Sequence, residues 1–135
     1  MIQLIDSIST KCATFSLIEE GILRIQLLEN AEVDLTESKE MQKISLQITN
    51  GKKFVALVDA RTQVVVSKEL REWGSSPEGQ KNMLAQAIVV DSLANRLIGN
   101  FIIQFHKPIA KTRLFSDETT AIDWLKQQKR IFQFI

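Results

Sequence analysis

Phe54-Val55-Ala56-Leu57-Val58 is a short unbroken apolar run, set off by Gly51 before it and Asp59 after it. Successive residues of a strand point to opposite faces, so a run without a polar position needs cover on both sides. That is the environment of a central strand in a sheet flanked by helices. Ala85 to Val90 repeats the signature, and the stretch before Phe54 has helical spacing. After Asp34, the residues Met41, Ile44 and Ile48 recur at helical intervals, Glu37 follows the capping Asp34 by three residues, and Asn50-Gly51 is a stop signal. A helix from about Leu35 to Thr49 leading into Phe54–Val58 is half of a β-α-β unit.

The opening of the chain has the other periodicity. From Lys11 to Leu17 apolar and polar residues roughly alternate, and Leu23, Ile25 and Leu27 alternate with Arg24 and Gln26. Glu19-Glu20-Gly21 supplies the turn, with Gly21 available for a positive φ. This predicts an antiparallel hairpin with Cys12 on its first strand. Ser67 can cap a short helix through Trp73, Gly74 breaks it, and Ser76-Pro77-Glu78 is the opening of another short helix. Asp91-Ser92 offers caps for a helix whose Leu93, Leu97, Ile98, Phe101, Ile102 and Phe105 form one apolar stripe ending before Pro108. Ile109 to Phe115 can supply a last strand, and Ser116-Asp117-Glu118 caps a last helix carrying Ala121, Trp124, Leu125 and Gln128. The expected order is β-β-α-β-α-β-α-β-α, a mixed sheet with a parallel core and an antiparallel N-terminal hairpin.

At 135 residues the expectation is one domain spanning 1–135. Lys and Arg total 17 against 16 Asp and Glu, so nothing in the net charge draws the chain to nucleic acid or an anionic membrane. One cysteine forms no internal disulfide, and neither a signal-type segment nor an 18-residue apolar run appears, so a cytoplasmic protein without a membrane span is expected.

Three segments carry a resemblance: Phe54 to Arg61, Ala85 to Ser92 with the following Arg96-Leu97-Ile98-Gly99-Asn100-Phe101, and Leu114-Phe115-Ser116-Asp117-Glu118 leading to Ala121-Ile122-Asp123-Trp124-Leu125. In these the chain resembles the SpoIIAA-like small α/β domains, which share the STAS fold and are related to the CRAL-TRIO lipid-exchange fold. The resemblance implies the same fold and, by analogy with STAS regulators, a role in protein contacts. Those regulators are switched at a serine in an Asp-Ser-Ser-Gly type motif at the helix start after the strand matching Phe54–Asp59. Here that stretch reads Ser67-Lys68-Glu69, without the paired serines or the glycine. Ser67 is therefore expected to be a plain N-cap, with modification as the alternative, because a phosphate at a helix N-terminus meets the dipole and free amides favourably.

Ligands of open α/β sheets sit beyond the carboxyl ends of the strands, where Asp59, Arg61, Asp91 and Ser92 would gather. Ser92 at a helix start with Arg61 nearby can hold a small anion; equally, Asp91 and Ser92 can be caps and Arg61 can pair with an acid. Asp91, Ser92 and His106 are no nucleophilic triad, because one predicted helix separates serine from histidine by about 20 Å. One histidine and one cysteine give no recognisable metal set, no cofactor is implied, and Cys12 reads as a small core residue. The tail Ile131-Phe132-Gln133-Phe134-Ile135 is apolar enough that Ile131, Phe132, Phe134 and Ile135 must pack on the chain's own core or on a second subunit. The leading expectation is a non-enzymatic regulatory or protein-interaction module, with an unknown protein partner and a homodimer as one option. The alternative is a binder of a small apolar ligand or lipid, in a cavity between the Leu93–Phe105 helix and the sheet. An enzyme using Asp59, Arg61 and Asp91 stands third.

Overall fold

The structure, a computed structural model, describes residues 7–61, 64–66, 68–92 and 110–133. Strand β1 (Ile8–Ser9) lies against β2 (Ala13–Glu19), which turns through Glu20 and Gly21 into β3 (Ile22–Leu27). Gly21 has φ +83°, the conformation this tight return needs. Ile18 is an extra residue on β2, because Leu17 faces Leu23 while Glu19 already faces Ile22. A short β4 (Ala31–Val33) leads to α1 (Leu35–Ile48), whose first free N–H groups are met as the capping pattern predicts: Asp34 accepts from the Glu37 N–H at 2.9 Å. Asn50 and Gly51 end α1 in the left-handed region, and the Gly51 N–H returns to the Leu46 carbonyl.

Next come β5 (Phe54–Asp59), β6 (Val64–Val66), α2 (Lys68–Gly74), β7 (Met83–Val89), β8 (Lys111–Phe115) and α3 (Glu118–Gln133). The main sheet has six strands in the order β1-β2-β3-β5-β7-β8, antiparallel across β1, β2 and β3 and parallel from β3 to β8. This is the expected mixed sheet. The apolar run at β5 sits in its middle, with Phe54 and Ala56 on the face covered by α1 and Val55 and Leu57 on the face covered by α3. Ile44 and Ile48 of α1 close the first core over Phe15 and Leu23. Ala121, Trp124 and Leu125 of α3 close the second over Ile22 and Ala85, with the Trp124 ring 5.5 Å from that of Phe115. Each fully buried leucine here contributes roughly 2 kcal/mol relative to an exposed one.

Three elements add to the expected order. β1 extends the hairpin edge, and β4 pairs in parallel with β6 as a separate two-stranded sheet, Ala31 facing Val64. The helix expected at Ser76-Pro77-Glu78 is not one: residues 75–82 form a run of turns. Ser76 does cap, its Oγ accepting from the Gly79 N–H at 3.1 Å, but the chain then crosses so close to Trp73 that a Cβ on Gly79 would lie 2.0 Å from the Trp73 carbonyl oxygen. The buried Gln80 next accepts from the Ala110 N–H at 2.6 Å, which directs the chain into β7 instead of a second helical turn. The helix expected from Leu93 to Phe105, His106 and Ser67 lie outside the described residues.

Candidate functional site

Side-chain parity places the site. Ile22, Arg24 and Gln26 of β3 share one face, and Val55, Leu57 and Asp59 of β5 share the same one, the face under α3. Ile22 is swallowed by the core, whereas Arg24 and Gln26 come two and four residues later, at the carboxyl end. The first residue of α3, Glu118, overhangs them.

The result is an ion-pair network around one buried carboxylate. Asp59 is 5% exposed. Its Oδ1 accepts from the backbone N–H and the Nε of Arg61, at 3.2 and 2.9 Å. Its Oδ2 accepts from Nη2 of Arg61 at 2.7 Å and from Nη2 of Arg24 at 3.1 Å. Arg24 spends its other donors on Glu118 Oε1, through Nε at 2.5 Å, and on Gln26 Oε1, through Nη1 at 3.1 Å. Two guanidinium groups and two carboxylates balance, which is how a buried charge is tolerated. The forked Arg61 bonds hold the Asp59 carboxyl below the ordinary carboxylate range despite the opposing effect of burial, and Asp59 in turn raises Arg61. Asp59 is therefore a fixed anion, not a proton carrier at neutral pH.

Of the residues read from the sequence, Asp59 and Arg61 come together as a bidentate pair. Asp91 and Ser92 are exposed, in the segment just past β7. Asp91 is near enough to add to the potential on Arg61, while the bonds to Asp59 come from the two arginines. Arg24, Gln26 and Glu118 are site residues that sequence reasoning missed. The Arg61 side chain remains 40% exposed while its guanidinium is held to Asp59 through Nε and Nη2.

Cys12 lies elsewhere, packed with Ala31, Val33 and Leu70, and burial pushes its thiol up, away from the reactive thiolate. Among the described residues no His, Cys, Asp and Glu side chains group as a metal site. Nor is any described helix long and apolar enough to cross a membrane. At the chain's end, Ile131 is 51% exposed while Phe132 packs half-buried against the α3-side core. Phe134 and Ile135 lie outside the described residues.

Residues 16–129 match the family model described as a domain of unknown function, DUF7793. The chain belongs to the DUF7793 family. The match runs from β2 into α3, so every member of the Arg24–Asp59–Arg61–Glu118 network falls within the DUF7793 domain. No curated protein matches the sequence. Among solved structures, the DUF7793 chain is similar to an uncharacterised protein of the DUF3478 family with a SpoIIAA-like fold, from Shewanella loihica PV-4. The two are 15% identical, with a TM-score of 0.63 over 89% of this chain and 98% of the other. This DUF7793 fold is thus SpoIIAA-like, as the three resembling segments imply, and at that identity the likeness speaks for the fold alone.

Proposed function

We propose that the protein is a non-enzymatic interaction module that docks a protein partner at the carboxyl end of its sheet. The observation that carries this reading is the Arg61 side chain, anchored through two of its guanidinium nitrogens on a buried carboxylate and still 40% exposed. Such an arginine loses little side-chain freedom on meeting a further acceptor, and preorganisation of this kind favours binding. Exposed Asp91 and Ser92 stand in the same region, so the surface carries both signs. A mixed surface favours a protein patch of complementary charges over a polyanion, which Asp91 and Glu118 would repel. Against an enzyme, each Asp59 oxygen already receives two N–H donors and its pKa is depressed, the reverse of what a general acid or base needs.

The test is affinity enrichment with chemical cross-linking, run in parallel on the native chain and on Arg61→Glu. Proteins enriched by the first and lost from the second are the expected result, with cross-links falling near Arg61, Asp91 and Ser92. An identical set of cross-linked proteins from both chains, or none from either, overturns the reading. A homodimer through the end of α3 is the narrower version of an interaction role, and Ile131 is its exposed apolar residue among those described.

A second reading, a binder of a small apolar ligand, is favoured by a different observation. A cavity opens at the other end of the strands, lined by Leu17, Ile48, Leu84 and Phe132.

A further inference from the structure

At the amino ends of the parallel strands the two cores converge on a half-open cavity of about 380 Å³. Leu17 and Ile48 reach it from the α1-side core, and Leu84 and Phe132 from the α3-side core. A volume in this range, with apolar walls and a few polar groups at the mouth, is what small-molecule sites have. The rim is basic: Lys52, Lys53 and Lys129 against Glu20.

These lysines are not equally engaged. Lys129 is committed, pairing with Glu19 at 3.1 Å and donating to the Glu20 carbonyl. Lys52 meets Glu20 only at 3.9 Å, with both side chains more than 70% exposed. Lys53 has no ion pair among the described residues. The α1 C-terminus also faces this cavity, and a free helix C-terminus repels anions. Here its carbonyls are occupied: Ser45, Leu46, Gln47 and Thr49 accept from the N–H groups of Thr49, Gly51, Asn50 and Lys52. The two lysine charges are left to dominate the mouth.

We infer that this cavity binds a carboxylate carried on an apolar body, such as a medium-chain alkanoate, with the chain against Leu17, Ile48, Leu84 and Phe132 and the head group at Lys52 and Lys53. The inference rests on the ligand-binding reading and gives it a chemical class. Apolar burial supplies the affinity, and the lysine pair selects the anion over a neutral body of equal length.

The experiment is a methyl-region NMR titration of the full chain with decanoate and, separately, with decanol, both below their aggregation limits. Decanoate is expected to shift the methyl signals of Leu17, Ile48 and Leu84 at lower concentration than decanol does. The double variant Lys52→Glu, Lys53→Glu touches only exposed side chains; it should weaken decanoate roughly tenfold and leave decanol unchanged. Leu84→Trp fills the cavity and should abolish both, but a larger ring can disturb folding, so the lysine variant decides. Equal binding of decanol and decanoate, insensitive to the lysine variant, overturns the carboxylate assignment while the ligand-binding reading stands. Absence of any shift at these methyls with either probe overturns both.

Discussion

The two ends of the parallel strands are built from the same β5 and solve opposite problems. Asp59 and Phe54 are five residues apart, about 17 Å along an extended strand. At the Asp59 end, charge is buried and both carboxylate oxygens of Asp59 accept two hydrogen bonds each, so this end is closed by polar contacts. At the Phe54 end, apolar side chains from both cores fail to meet and the closure is incomplete. A network that satisfies the buried Asp59 leaves its more exposed members, Arg61 foremost, for recognition by another surface. A gap between two cores is instead suited to receive a body from outside. One fold can therefore offer a protein-facing platform and a ligand-sized recess without either using the other's residues.

The two ends differ most in what Asp59 contributes. Replacing it with alanine takes the carboxylate from Arg61 and leaves Arg24 only Glu118 and Gln26, and removing one member of a largely buried ion pair costs about 3 kcal/mol. Urea unfolding should show this loss, whereas the same measurement on Lys52→Glu, Lys53→Glu should show almost none. A loss below about 1 kcal/mol for Asp59→Ala would mean that the network is no more than a surface cluster.

Next come paired truncations of the cores. Leu57 is fully buried beneath α3, so Leu57→Ala should cost about 3 kcal/mol. Leu84 already borders the cavity, so Leu84→Ala removes fewer contacts and should cost about 1 kcal/mol. Equal costs would show that the amino end is as tightly filled as the core.

The carboxyl end also carries a pH dependence. The folded pKa of Asp59 lies below its unfolded value, so its stabilisation is fully present above the unfolded pKa and disappears as pH falls through the folded one. Native chain should lose stability progressively below about pH 4, and Asp59→Asn should flatten that part of the curve. Acid unfolding followed by tryptophan fluorescence would measure it. The smallest effect belongs to Ile131→Lys, an exposed position that should change stability by less than about 0.5 kcal/mol. Sedimentation of that variant reports whether the end of α3 holds two copies together: a native dimer made monomeric would support the contact.

Much of this fold was legible because local rules and tertiary demands agree. The β5 run, the Asp34 and Asp117 caps and the Gly21 turn each have a physical reason that acts within a few residues. The site was legible only in part. Asp59 and Arg61 are two residues apart and sit at the end of a recognisable strand. Arg24 and Glu118 are 94 residues apart, and nothing local joins them. The alternation Leu23-Ile25-Leu27 makes Arg24 read as solvent-facing, and so it would be if α3 did not cover that side. Ile22 directly before the alternation was the available signal, since it shares the Arg24 face and is fully buried. The Gln80 bond to Ala110, 30 residues away, was hidden for the same reason. β4 and β6 are three residues each and depend on one another, so neither declares itself alone.

In the reading proposed above, Asp59 is an ionised anchor for an exposed arginine and not a proton-transfer group. Carbon-13 detected titration of the Asp59 side-chain carboxyl in the full chain tests it most directly. The expected result is a midpoint below the ordinary aspartate value of 3.8 and a carboxylate signal unchanged across neutral pH. A midpoint raised toward neutrality would contradict it and return Asp59, Arg61 and Asp91 to consideration as catalytic groups.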